Sequence, residues 1–137
     1  PETQVILPLL KTDLLDVIEA VVEHRLDQLL VEWHPVSAVC VVMTAGGYPG
    51  TYKTGIPIEG KLALSDDPKT VVFHAGTKRE QGRYVTAGGR VLGVTAVGTD
   101  LQLARDAAYE RVKAITFEGC HYRTDIAHRA LAPKAGL

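Results

Sequence analysis

The chain has 137 residues, 46% of them hydrophobic and 23% charged, with a formal net charge of -1. That length suits one proper core plus an appendage, and the near-zero charge argues for neither nucleic acid nor a membrane surface as partner. No apolar run reaches the roughly 18 residues of a membrane span, and no signal peptide is legible.

Pro1 is not an initiator and PETQ is not a leader. The chain is therefore expected to start in the middle of something, as a processed product or the ordered part of a longer protein. Residues 1–30 are helical in pattern. Thr12 is the expected N-cap, with Asp13 and Asp16 near the positive end of the dipole. Leu14, Leu15, Ile18, Val21, Val22 and Leu26 recur at helical spacing, while Asp16, Glu19, Glu23 and Asp27 line the other face. Upstream, Val5 to Leu10 is very apolar, and Pro8 either sits in a first helical turn or separates two helical pieces. This helix has no partner within its own segment. It must pack on the rest of the chain or on protein that lies outside it.

Trp33 and Pro35 mark a boundary. Val36 to Thr44, VSAVCVVMT, is a continuous apolar run of strand length, and a strand covered on both faces is the natural reading. Cys40 lies inside it and far from Cys120, which favours a buried free thiol over a disulfide and fits a reducing cytosol. Ala45 to Gly50, AGGYPG, reads as a glycine–proline loop, first as a plain turn and second as a place where Gly46 and Gly47 let the backbone approach a ligand. Ile56-Pro57-Ile58 suggests a short edge strand, and residues 61–69 a surface connection that turns at Asp66-Asp67-Pro68.

Strands are expected over Val71 to Ala75, Arg83 to Thr86 and Arg90 to Ala96, rich in Val, Thr, Tyr and Phe. The first connection, Gly76 to Gly82, is long and polar; the second, Ala87-Gly88-Gly89, reads as a tight hairpin turn using positive φ at glycine. Arg90 follows at once and Lys78 stands in the facing loop. Spacing alone leaves two readings: a hairpin with solvated charges, or backbone N–H groups flanked by two cations that form an anion site. Thr99 or Asp100 caps a further helix with a stripe of Leu101, Ala104, Ala108, Val112 and Ile115. Phe117 to Tyr122 reads as a last short strand and turn, Arg123 to Leu131 as a tail with a helical turn, and residues 133–137 as frayed.

Little else carries chemistry. His24, His34, His74, His121 and His128 match no metal-binding spacing, and there is no GxSxG or GxxxxGK. His74 ends a strand beside the Gly76 loop and is read first as a surface or hydrogen-bonded histidine, and second as a polar group at a pocket mouth. The residues by themselves give a cytosolic α/β (α+β) domain with one candidate anion site.

Five ordered blocks add to this: PETQ, SAVCVVMTAGGYPG, VFHAGTK, TAGGRVLGVTAVG and FEGCHYRTDIAHRAL. Together they resemble the phosphoribosylamine–glycine ligase family of the ATP-grasp ligases, over Pro1 to about Leu131. The resemblance implies an enzyme of de novo purine synthesis that joins phosphoribosylamine to glycine with cleavage of ATP, through glycyl phosphate, with Mg²⁺ or Mn²⁺ on the nucleotide phosphates. In the family, the Glu and Asn metal ligands, an Arg and an Asp come just before the PETQ proline. The glycine-rich lid and nucleotide-contacting lysines lie further upstream. The resemblance therefore assigns no catalytic, cofactor-binding or metal-binding residue to this chain, and implies that the isolated chain is inactive. It implies that residues 1–35 end the ATP-grasp domain and residues 36–137 form the C-terminal ligase domain, a small antiparallel-rich sheet with packed helices. The implied partners are phosphoribosylamine, glycine, ATP and the N-terminal part of the same cytoplasmic enzyme, with no nucleic acid or membrane. By the same resemblance Lys78 and Arg90 hold the ribose 5-phosphate, the Gly88-Gly89 turn adds N–H donors, and Glu2 and Thr3 edge the substrate amine site. The family more often has glycine where Ala127 stands. A rival expectation is a non-catalytic phosphosugar-binding or assembly module; a third is an unrelated domain with a solvated hairpin and no ligand.

Overall fold

The computed structural model describes residues 2–63 and 69–132; the expected Asp66-Asp67-Pro68 turn, the expected fraying at 133–137 and Pro1 lie outside them. The apolar run becomes β1 (Ser37–Thr44), an edge strand of an antiparallel sheet whose centre is β6 (Arg90–Gly98) and whose other edge is β3 (Thr70–His74). The registers Val41↔Val94 and Val72↔Val94 put the valines of all three strands on one face. That face also carries Val39, Met43, Leu92 and Ala96, and α3 (Leu101–Lys113) covers it with Ala104, Ala108 and Val112. Small alanines let the helix approach closely. The Asp100 carboxylate caps α3 by accepting from the Leu103 N–H at 2.8 Å.

The second face of the sheet carries Cys40, Val42, Gly93, Thr95 and Phe73, and α1 (Glu2–Leu9) packs on it through β1 and β6. A Cβ built on Gly93 would lie 3.8 Å from Gln4 Cγ. This face is covered only in part, so β1 alternates buried and half-buried instead of being buried on both sides.

The amino-terminal region is two helices, not one. Pro8 lies in the last turn of α1 and cannot donate an N–H to the helix; the chain leaves the helix at Leu10 and restarts at α2 (Leu14–Val22). Asp13, not Thr12, is the N-cap, accepting from the Leu15 N–H at 2.8 Å. Thr12 Oγ1 instead accepts the Glu32 N–H at 2.7 Å. Leu10 bridges to Trp33, the His34 N–H donates to the Leu9 carbonyl at 2.8 Å and the Lys11 N–H donates to the Glu32 carbonyl at 3.0 Å. The expected stripe of α2 finds no cover: Leu15 is 60% exposed, Ile18 50% and Val22 71%, and only Ala20 is buried.

Two small ladders complete the structure. The polar stretch read as a loop contains a strand, β4 (Thr77–Glu80), paired with β5 (Arg83–Thr86) in a ribbon separate from the main sheet. Residues 55–58 run along the other side of β5, with the Ile58 N–H donating to the Tyr84 carbonyl at 2.9 Å. Ile56-Pro57-Ile58 is thus the expected edge piece, and β2 follows it at Glu59–Gly60. β2 pairs with β7 (Ile115–Thr116), which comes just before the stretch expected to be the last strand. Ile115 consequently leaves the α3 stripe and is buried in β7. Phe117 to Tyr122 turns back instead, and the His121 carbonyl accepts from the Thr44 N–H at 2.8 Å. The tail is pinned to α3: the Tyr109 hydroxyl donates to the Arg123 carbonyl at 2.6 Å, and α4 (His128–Leu131) supplies the expected helical turn. No helix among the described residues is long and apolar enough to cross a membrane.

Candidate functional site

The stretch Ala87-Gly88-Gly89 is not a hairpin turn. β5 and β6 lie in different sheets, so it carries the chain from the ribbon to the main sheet. Neither Gly88 nor Gly89 has positive φ. Their lack of a side chain serves close approach instead. A Cβ on Gly76 would meet the Arg90 carbonyl oxygen at 2.6 Å and Gly88 Cα at 2.7 Å; one on Gly89 would lie 2.1 Å from Tyr48 Cδ2. Hydrogen bonds strap the segment on both sides: the Gly76 N–H donates to the Arg90 carbonyl and the Ala45 N–H to the Gly89 carbonyl, both at 2.8 Å.

A bulge then sets Arg90. The β1–β6 register shifts between Met43↔Leu92 and Thr44↔Arg90, leaving Val91 as an extra residue. Alternation breaks there, so Val91 and Leu92 are both buried and Arg90 emerges exposed. Re-aiming a side chain is what a bulge does. Arg90 opens onto a cleft of about 590 Å³, walled also by Thr3 and Gln4 of α1, Cys40 of β1, Tyr48, Gly76 and Gly89. The Arg90 side chain makes no hydrogen bond or ion pair with any described residue, and the Gly88 and Gly89 N–H groups donate to none. Of these, Arg90 and Gly89 line the concavity, while Gly88 is next to it in the chain but outside the lining; a cation beside an unspent backbone donor is the chemistry an oxyanion needs.

The other expected residues divide. Thr3 lines the cleft with Arg90 and Gly89. Glu2 sits at the neighbouring opening with Val5, Ile6 and Cys40. Its carboxyl is held below the usual carboxylate range, first by a hydrogen bond from its own backbone N–H and, among smaller contributions, by the positive charge of Arg90. Gly88 backs against Gly76: a Cβ built on Gly88 would lie 3.1 Å from Gly76 Cα. Lys78 is not in the cleft lining. It sits on β4 opposite Val85 and its Nζ pairs with Glu80 Oε1 at 2.6 Å. His74 is exposed, as expected, with Nδ1 2.9 Å from Thr77 Oγ1 and its ring 4.5 Å from that of Tyr84.

Gln4 and Tyr48 were not singled out by sequence reasoning. Tyr48 stands in a loop that reads as a plain turn, and its contact with Gly89 spans two loops far apart in the chain. An aromatic set between glycines and a proline was the available signal. Cys40 is free and half-buried, and burial pushes its thiol above the ordinary range, which leaves it protonated and a poor nucleophile. Burial likewise pushes Cys120 up to about 11. Among the described residues no group of three His, Cys, Asp or Glu side chains is arranged to hold a metal ion, so these residues do not fit a metal site and no step is assigned through one.

The family model described as "Phosphoribosylglycinamide synthetase, C domain" matches residues 38–129. A protein of Synechocystis named phosphoribosylamine–glycine ligase is 53% identical over 132 residues, covering 96% of this chain and 31% of that protein. A trifunctional purine biosynthetic protein adenosine-3 of Gallus gallus is 50% identical over 133 residues, covering 96% of this chain and 13% of that protein. The crystal structure of phosphoribosylamine–glycine ligase from Thermotoga maritima superposes with a TM-score of 0.71 at 33% identity, over 91% of this chain and 30% of that one. The chain thus spans less than a third of the length of these relatives.

Proposed function

The chain belongs to the phosphoribosylglycinamide synthetase family, whose C domain it carries, and from that premise we propose that it is the phosphate-holding part of a phosphoribosylamine–glycine ligase. The whole enzyme joins phosphoribosylamine to glycine with cleavage of ATP and yields glycinamide ribonucleotide in cytoplasmic purine synthesis. ATP and its Mg²⁺ or Mn²⁺ are held by the upstream part of that enzyme, where the metal would neutralise charge on the phosphates. Residues 36–137 are the C domain and residues 1–35 the end of the nucleotide-binding part; the match to residues 38–129 supports that boundary.

The observation that carries the reading is the unpaired Arg90 guanidinium in one cleft with Gly89, whose N–H, like that of the adjoining Gly88, is unspent. A ribose 5-phosphate is a dianion near neutral pH. Arg offers it two parallel hydrogen bonds, and the backbone donors add neutral ones. Lys78 contributes charge from the ribbon and must first leave Glu80, so its share is the smaller. Thr3 and Glu2 edge the site for the substrate amine. A hydrogen bond to a charged group contributes roughly 1.5–3 kcal/mol. In the complete ligase Arg90→Ala should therefore weaken glycinamide ribonucleotide binding about 10- to 100-fold, at about 1.4 kcal/mol per factor of ten. Lys78→Ala should act more mildly. Affinity for ATP and glycine should hold. Equilibrium binding of all three ligands decides it: an unchanged ribonucleotide affinity, or an equal loss for ATP, would refute the reading.

A further inference from the structure

Tyr48 has no place in the anion reading, yet it walls the same cleft as Arg90 and Gly89. Its ring lies on the Gly89 backbone so tightly that a Cβ there would fall 2.1 Å from Cδ2 and 2.7 Å from Cε2. Tyr52 backs the ring, with centroids 6.2 Å apart and planes at 57°. The loop that bears Tyr48 is tied to the same segment by the Ala45 N–H bond to the Gly89 carbonyl at 2.8 Å, and the Tyr48 N–H donates to the Ala45 carbonyl at 3.1 Å. Tyr48 is still 39% exposed. An aromatic ring is thus fixed from behind while remaining open to the cleft. A neutral aromatic face has no charge to offer a phosphate. It suits the apolar C–H face of a sugar held next to one.

We propose that Tyr48 is the sugar wall of this cleft and that Gly89 is its positioning residue, because only a residue without a side chain lets the ring lie there. The proposal rests on the phosphate reading of Arg90: the phosphate anchors at Arg90 and the Gly88–Gly89 donors, and the attached ribose rests on the Tyr48 ring. It assigns specificity for a phosphorylated sugar over a bare phosphate to Tyr48.

The test is equilibrium binding of two probes, inorganic phosphate and ribose 5-phosphate, to the complete ligase. Wild type should bind ribose 5-phosphate the more tightly. Tyr48→Ala should weaken ribose 5-phosphate about five- to ten-fold, at ~1.4 kcal/mol per factor of ten, and leave inorganic phosphate unchanged. Tyr48→Phe, which keeps the ring, should restore most of the loss. Gly89→Ala should displace the ring and weaken ribose 5-phosphate at least as much as Tyr48→Ala, and the double variant should be no worse than Gly89→Ala alone. Sub-additivity of that kind marks two residues acting through one contact. Arg90→Ala should weaken both probes. If Arg90→Ala weakens both while Tyr48→Ala changes neither or both alike, or if the double variant is additive, the sugar wall is wrong and the phosphate site stands. If Arg90→Ala changes neither probe, or the wild-type ligase binds neither, both readings fall.

Discussion

Replacing Gly76 by alanine puts a methyl group into a backbone-to-backbone contact at the wall of the cleft. The new Cβ would sit 2.6 Å from the Arg90 carbonyl oxygen, 2.7 Å from Gly88 Cα and 2.8 Å from Gly88 N, all of them backbone atoms that no side-chain rotation can move aside. Forcing a methylene into packed structure costs about 1–3 kcal/mol. The segment can yield only by stretching the bonds that Gly76 makes on either side, its N–H to the Arg90 carbonyl at 2.8 Å and its carbonyl from the Ala87 N–H at 2.7 Å. At roughly 1 kcal/mol net for each, the total loss should be about 2–4 kcal/mol. For a chain of this size that corresponds to a fall in Tm on the order of 10 °C. Gly82 is the control. It has φ +81° and nothing within 4 Å of its would-be Cβ, so Gly82→Ala tests backbone strain without collision. That change should cost about 1 kcal/mol, since left-handed geometry is unfavourable for alanine but the unfolded chain loses freedom too. Urea unfolding followed by circular dichroism measures both variants, and ribose 5-phosphate titration follows the site. A Gly76→Ala loss no larger than that of Gly82→Ala, or undiminished ligand binding, would refute the claim that close approach is why Gly76 is glycine.

Three further expectations follow from the same geometry. Leu15, Val22 and Leu30 stand 60%, 71% and 81% exposed, and apolar surface of that kind associates; the isolated chain should self-associate or bind the upstream part of the ligase in trans, and Leu15→Glu with Val22→Lys should abolish this in light scattering. Ala127 adopts φ 64° and ψ 3°, the left-handed region that favours glycine, so Ala127→Gly should stabilise the chain by at most about 1 kcal/mol in urea unfolding; a clear loss would contradict it. The chain alone should give no one-site micromolar isotherm with Mg-ATP in titration calorimetry, because the residues expected to hold the nucleotide belong to the upstream part; such an isotherm would overturn the assignment.

Where local sequence decides structure, the fold was legible. β1 and β6 announce themselves as β-branched runs, and α3 by its cap at Asp100 and its alanine stripe. β4, with the sequence TKRE, carries no apolar signature, because its ladder with β5 is satisfied by backbone and its side chains are largely exposed. The stripe of α2 was visible, but periodicity reveals that a face is apolar and not what covers it. Arg90 was singled out through its neighbourhood of glycines, though for the wrong local reason: the glycines permit contact with Gly76 and Tyr48, not positive φ. The bulge at Val91 that turns Arg90 outward depends on register with β1, and register is a relation between distant segments that neither segment encodes alone.

The clasp between residues 9–12 and 32–34 has a consequence for how this protein can change. Leu10 pairs with Trp33, and Lys11 and Thr12 hold Glu32, so the chain departs and returns at a single point. Everything from α2 to Leu30 is an excursion whose two ends are already neighbours. Excising it and joining Thr12 to Glu32 through a short turn would leave α1 seated on the sheet and β1 in register. Evolution can thus rewrite the surface that α2 presents, and an engineer can graft another in its place, without touching the scaffold that carries Arg90.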